Sequence, residues 1–362
     1  MNFERPNIRA MEGYSYGEQP SDAEVVKLNT NELPFPPSPK VAEVLQNFAV
    51  ASLRRYPPAL ANDFRDAAAN LHNLDRDNII ATRGGDELLR LLFTTFTDPG
   101  DVVAMTDPTY SLYPVLAKIQ DVTVTQFPMD DDYRPLENFA QQANQAGAKM
   151  TFLVNPHAPS GSLLTADQIA QFADQLDSLL LVDEAYVDFV SPEHEYNCLE
   201  LVNERDDIIF LRTMSKGYGL AGLRFGYGIA HTNIIAPMLT KTRDSYNLDA
   251  IGQAVATAAL LDQEYAQSCW LEVRNQRQRL TTALSDRQFT VTPSEANFVL
   301  ATVPESGPDA NTYYLQLKRR NVLVRFFNVG GLDNKLRISI GSAAENDTLL
   351  ACLDEIRAGH TD

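Results

Sequence analysis

The chain has few cysteines, a single tryptophan, little positive charge and no long apolar run. Its three cysteines, Cys198, Cys269 and Cys352, lie far apart with no CxxC pair, which excludes a disulfide framework or thiolate metal site and predicts buried free thiols. Lysine and arginine total 30 against 48 acidic residues, a net charge of −18. Nucleic acid and anionic membranes are held by clustered cations, so neither is an expected partner. No apolar run is long enough to span a bilayer, and Met1-Asn2-Phe3-Glu4-Arg5-Pro6 lacks the cationic start and apolar core of a secretion signal. A cytoplasmic protein is expected. The histidines, His72, His157, His194, His231 and His360, show no HExxH or paired ligand spacing, and no GxSxG elbow occurs; surface or packing roles are predicted for them, with no metal.

At 362 residues the chain exceeds the usual single-core size. Helical periodicity at Lys40–Ser52, Asn62–Leu71, Asp86–Phe96 and Ala166–Leu176 is interspersed with short apolar or β-rich runs. These runs are Asp101–Met105, Val122–Phe127, Met150–Val154, Leu179–Val182, Ile208–Leu211 and Phe225–Ile229. Strands joined by crossover helices predict an α/β domain whose mostly parallel central sheet is flanked by helices on both faces. From about Tyr246 the pattern changes to long helices, Ala250–Leu261 and Glu264–Leu284, then strands at Thr290–Thr302, Val322–Phe327 and Lys335–Ile340. The expected division is an N-terminal arm (1–30), a large domain (31–245) and a smaller α+β C-terminal domain (246–362).

The chemistry centres on Lys216, where the apolar run Ile208–Leu211 passes into the glycine-rich Ser215-Lys216-Gly217-Tyr218-Gly219. Desolvation among such neighbours lowers an amine's pKa and makes the neutral nucleophile accessible, as a Schiff-base lysine requires. Leu179-Leu180-Leu181-Val182 ends in Asp183. Ligands in parallel sheets sit beyond the strands' carboxyl ends, so Asp183 either meets a cation there, such as a protonated pyridine, or caps the following turn. Gly85, Asp86 and Glu87 open a helix whose amides can hold a phosphate, and Arg224 can add a two-pronged contact beside the hydroxyls of Thr213 and Ser215. Tyr110 follows another strand and offers a ring to stack on. Gly217-Tyr218-Gly219-Leu220-Ala221-Gly222 also fits GxGxxG, with Asp244 at about the ribose-binding distance. That fingerprint requires a helix after the third glycine, and Leu223–Ala230 reads as strand.

An amine, a ring-nitrogen acid, a stacking tyrosine and a phosphate cup together describe a pyridoxal phosphate site. In order and spacing the chain resembles the fold type I, class I/II aminotransferases, and among them the histidinol-phosphate aminotransferase family. The resemblance runs through Lys27–Pro39, Arg55-Tyr56-Pro57, Gly85-Asp86-Glu87, Asp107–Tyr113, Asn155–Gly161, Asp183–Tyr186, Ser215–Arg224, Ala296-Asn297-Phe298 and Leu336-Arg337-Ile338. It implies that Lys216 carries pyridoxal 5'-phosphate and later acts as general base, while Asp183 keeps the ring nitrogen protonated. Tyr110 would stack on the ring and Tyr186 would bond its phenolate oxygen. Thr213, Ser215, Arg224 and the amides of Gly85, Asp86 and Glu87 would hold the phosphate. Tyr56 would reach the phosphate of a neighbouring subunit, implying a homodimer.

For substrate, Arg337 matches the family's anion-binding arginine and Asn31 falls in the same set; Arg325 reads equally as a structural ion pair. The implied reaction is ping-pong transfer from histidinol phosphate to 2-oxoglutarate in histidine biosynthesis. Aromatic aminotransferases and phosphothreonine decarboxylases share these motifs, and a dehydrogenase using Gly217–Gly222 is the rival of another class. One departure touches the chemistry: the family's NPNNPTG is here Asn155-Pro156-His157-Ala158-Pro159-Ser160-Gly161. Ala158 cannot bond the phenolate oxygen, so either Tyr186 with a water or His157 substitutes, or the cofactor's electronics differ slightly. Leu33 and Phe35 also depart from the family's usual residues, at the substrate entrance.

Overall fold

The computed structural model describes residues 3–20 and 24–359; His360 lies outside them. The strands are β1 (Val26–Lys27), β2 (Ile79–Thr82), β3 (Val102–Asp107), β4 (Thr123–Pro128), β5 (Ala148–Val154), β6 (Leu179–Asp183), β7 (Ile208–Thr213), β8 (Gly226–Ala230), β9 (Thr290–Val291), β10 (Phe298–Thr302), β11 (Val322–Leu323), β12 (Arg325–Phe326) and β13 (Lys335–Ser339). Seven form one sheet in the order β2-β8-β7-β6-β5-β3-β4. The run from β7 to β4 is parallel, and β8 is antiparallel to both β2 and β7.

Alternation along these strands sends their side chains into two cores. Leu180, Val182, Ile208 and Phe210 pack on one face, while Leu181, Ile209 and Leu211 pack on the other with Phe152 and Tyr113. Because both faces are covered, the strands are apolar throughout, as a buried parallel sheet requires. Helix Ala250–Leu261 packs Val255, Ala256, Ala259 and Leu260 into the first core. A third core lies under the antiparallel sheet β12-β13-β10-β9 and joins helices Gln263–Asp286, Ala310–Arg319 and Ala343–Ala358 to Leu28.

Several expected elements differ in extent. Helix Lys40–Ser52 ends at Gln46, and a short 3-10 turn, Val50–Arg54, follows. Thr290–Thr302 is two strands separated by a loop, and Val322–Phe327 divides at Val324 between two sheets, β11 pairing with β1 and β12 with β13. A six-residue apolar run carries no mark of which neighbour each half will find. Cys198 and Cys269 are buried free thiols as expected, but Cys352 is only partly buried.

Candidate active site

Asp183 is the last residue of β6, and Thr213, three residues before Lys216, is the last of β7, so the two parallel strands deliver acid and amine to one edge of the sheet. Asp183 is buried. Its Oδ1 accepts the Ala185 amide at 3.0 Å, as a turn cap would, and its Oδ2 accepts the Tyr113 hydroxyl at 2.5 Å. Both donors are neutral. Burial therefore lifts the carboxyl to about 6, against the opposing pull of those hydrogen bonds and of Lys216. An acid placed in a dry strand end without a counter-ion fits a group that brings a positive charge, as a protonated pyridine nitrogen does.

Lys216 Nζ donates to the Thr30 carbonyl at 2.8 Å and stands 5.8 Å from the centroid of the Tyr186 ring. Burial lowers its ammonium to about 8; Arg337, Lys27 and Arg224 push the same way and Glu32 opposes. The Tyr186 hydroxyl accepts from Asn31 Nδ2 at 3.1 Å. Asn31 is fixed in turn by Ser339, whose hydroxyl donates to its Oδ1 and accepts from its amide, both at 2.9 Å, and by Asn297.

Gly84 precedes helix Gly85–Phe96 with φ of 76°, and a Cβ there would stand 2.9 Å from an Arg224 terminal nitrogen. Only glycine lets that guanidinium lie over the helix start. Arg224 donates to the Ser215 hydroxyl and to Asp86, each at 3.2 Å, and Thr213 Oγ1 accepts the Ser215 amide at 3.1 Å. Arg224 thus joins the Ser215 hydroxyl, next to that of Thr213, to the start of the helix whose first amides are those of Gly85, Asp86 and Glu87, donor types suited to a phosphate. The Glu87 carboxylate points away, accepting from Asn247 and the Arg83 amide.

The opposite wall belongs to the antiparallel sheet. Arg337 donates to the Asn29 carbonyl at 2.9 Å, while its Nε is buried without a partner. Arg325 faces it across β12 and β13 and lies 5.4 Å from the Phe327 ring, with no ion pair among the described residues. Tyr110 meets Tyr113 edge-on at 5.4 Å and Tyr14 at 5.9 Å. Tyr56 stands apart from this cluster, 79% exposed and stacked on Tyr246 at 4.4 Å.

His157 does not replace the missing asparagine. Burial lowers it to about 4, and both ring nitrogens are occupied, Nδ1 with Ser160 Oγ at 2.8 Å and Nε2 with the Pro108 carbonyl at 2.9 Å. Asn31 is the amide that reaches Tyr186. Tyr113 and Tyr14 were not anticipated. Tyr113 lies in the first turn of helix Leu112–Gln120, three residues after Tyr110, which precedes the helix; Tyr14 left no comparable signal. No helix opens after Gly222, where the chain goes into β8, so the dinucleotide fingerprint lacks its context.

Residues 23–353 match the family Aminotransferase class I and II, and the chain belongs to that family. It is 38% identical to histidinol-phosphate aminotransferase 1 of Trichormus variabilis over 98% of this chain and 99% of that protein. It is 41% identical to histidinol-phosphate aminotransferase of Microcystis aeruginosa over 97% of this chain and 98% of that one. Its fold matches the crystal structure of histidinol-phosphate aminotransferase from Sinorhizobium meliloti in complex with pyridoxal-5'-phosphate, with a TM-score of 0.90 at 27% identity, covering 99% and 98% of the two chains. Within the class, this is a member of the histidinol-phosphate aminotransferases, with the fold type I architecture that the motifs implied.

Proposed function

We propose that the chain transfers an amino group from histidinol phosphate to 2-oxoglutarate, in histidine biosynthesis, using pyridoxal 5'-phosphate held at Lys216. The observation that carries this reading is a lysine amine lowered to about 8 beside a buried acid that has only neutral partners. Bound there, the cofactor supplies an electron sink for the pair released when the donor's Cα–H bond breaks. Lys216 would hold it covalently, and its Nζ, when free, would take the proton from the donor's Cα. Asp183 would face the ring nitrogen as the carboxylate, its two oxygens fixed by Tyr113 and Ala185.

Tyr186, oriented by Asn31, would donate to the ring oxygen, and Tyr110 would cover a ring face. Arg224, Ser215, Thr213 and the amides of Gly85, Asp86 and Glu87 would anchor the phosphate. Arg337, with Arg325 and Asn31 beside it, receives the anionic end of each substrate; its unpartnered Nε supports that role. The segment 50–60 exposes Val50, Leu53, Tyr56 and Leu60, an apolar edge suited to a second copy whose site Tyr56 would complete. Free thiols fit a reducing cytoplasm, and no helix among the described residues is long and apolar enough to cross a membrane. The net charge of −18 argues against nucleic acid as a partner.

Side-by-side assays with histidinol phosphate, phenylalanine and phosphothreonine test the substrate. Amino transfer fastest from histidinol phosphate is expected; faster transfer from phenylalanine, or carbon dioxide release from phosphothreonine, would overturn the assignment.

A further inference from the structure

Beside the turn that carries Lys216 lies a second cavity of about 410 Å3, lined by none of the residues placed above in the cofactor or substrate site. Its size falls within the roughly 300–1,000 Å3 of small-molecule sites. Trp270 and Tyr218, edge to face at 5.6 Å, form an aromatic wall. Two charged side chains on that lining are left without hydrogen bonds. Asp188 accepts no hydrogen bond among the described residues, and Arg274 makes neither ion pair nor hydrogen bond there. The Tyr196 hydroxyl is likewise free of a hydrogen bond, whereas Arg212 is engaged through Nε by Glu184 at 2.6 Å.

A desolvated carboxylate that accepts no hydrogen bond is costly, and the guanidinium in the same cavity has its donors unused. A single positive or negative ligand would satisfy one and leave the other. We propose that this cavity binds a small zwitterionic α-amino acid, its ammonium on Asp188, its carboxylate on Arg274 and its side chain against Trp270. Burial raises Asp188 to about 7, because the Arg212 charge, engaged by Glu184, offsets it only in part. The cavity also touches the lysine turn. Trp270 Nε1 donates to the Gly217 carbonyl at 2.7 Å, Gln263 donates to the Tyr218 hydroxyl at 3.0 Å, and a Cβ at Gly217 would meet Asp188 Oδ2 at 2.2 Å. Occupancy therefore bears on the residues that follow Lys216, and a change in turnover should accompany binding; that last consequence rests on the proposed transamination, whereas the binding itself does not.

Trp270 is the only tryptophan, so indole emission reports on this cavity alone. The cofactor-saturated protein, excited at the red edge of indole absorption, is titrated with L-histidine and with L-phenylalanine. A saturable change is expected in the wild type and in Lys216→Ala alike. Its apparent Kd should rise about tenfold or more in Asp188→Asn and in Arg274→Ala, and acetate or methylamine should bind more weakly by a similar factor. No emission change up to about 10 mM ligand, equal affinity in the two cavity variants, or loss of the signal in Lys216→Ala would each overturn the proposal. The Lys216→Ala arm separates this outcome from failure of the transaminase reading, because it asks for binding where no turnover is possible.

Discussion

Asp183, at the end of β6, and Arg337, in the middle of β13, are charged groups without counter-ions that stand on sheets of different construction. The parallel sheet presents its acid at a strand terminus, where the backbone stops and a ligand begins. The antiparallel sheet presents its arginine from a strand interior, where the side chain must cross the surface of Phe298 and Phe327, 5.3 and 5.6 Å from the guanidinium carbon. Burial raises the acid and lowers the arginine, so each site disfavours its own charge. The two walls mark, by opposite signs, where a ligand's positive and negative ends should lie.

Removing the amine between the walls should have the largest effect. Lys216→Ala is expected to lower turnover by about 10^4-fold or more, and borohydride should no longer fix cofactor mass onto the protein. Asp183→Asn should lower kcat by about 10^2-fold or more while changing KM little; Arg337→Ala should do the reverse, raising KM for both anionic substrates about 10- to 100-fold. Steady-state kinetics that showed the same pattern in both variants would break the contrast. Asp183→Asn also has a stability signature in the cofactor-free protein. Its folded pKa of about 6 lies above the ordinary 3.8, so the folded state holds the proton more tightly and wild-type stability falls as pH climbs from about 4 to 6. The variant escapes that loss and should melt higher than wild type at pH about 8, with the gap closing near pH 4.

The smallest expected change is Tyr113→Phe. The hydroxyl lowers the Asp183 pKa, so its removal should move the acidic limb of the kcat profile upward and cost about tenfold or less in rate. A rate loss with no movement of that limb would mean that Tyr113 matters for packing alone.

Chemistry that depends on a strand's end was readable in the sequence, because an apolar run closing on a polar residue marks both the sheet and its functional edge. Lys216 and Asp183 were legible in this way, and helix Ala250–Leu261 kept its expected limits. What escaped was pairing between distant segments. Nothing in Val322–Phe327 announces that β11 will meet β1, and helix Ala310–Arg319 is short, 10 residues against 24 in Gln263–Asp286. Tyr113 was visible as a residue but not as the partner of Asp183, since a hydrogen bond between helix start and strand end has no sequence spacing. The Ala158 departure could be seen, yet that Asn31 would reach Tyr186 depended on the small sheet's Ser339 holding it in place.

The parallel pairing of β1 with β11 joins segments separated by most of the chain's length. Just after β1 come Asn29, whose carbonyl accepts from Arg337, and Thr30, whose carbonyl accepts from Lys216. A ribosome makes these residues early, but their docking partner on β11 emerges late. The pocket's rim is thus assembled from a contact of very high sequence separation, the slowest kind to form. Refolding followed by hydrogen exchange should protect the β5–β7 amides before those of Val26 and Leu28, with cofactor capture tracking the second event.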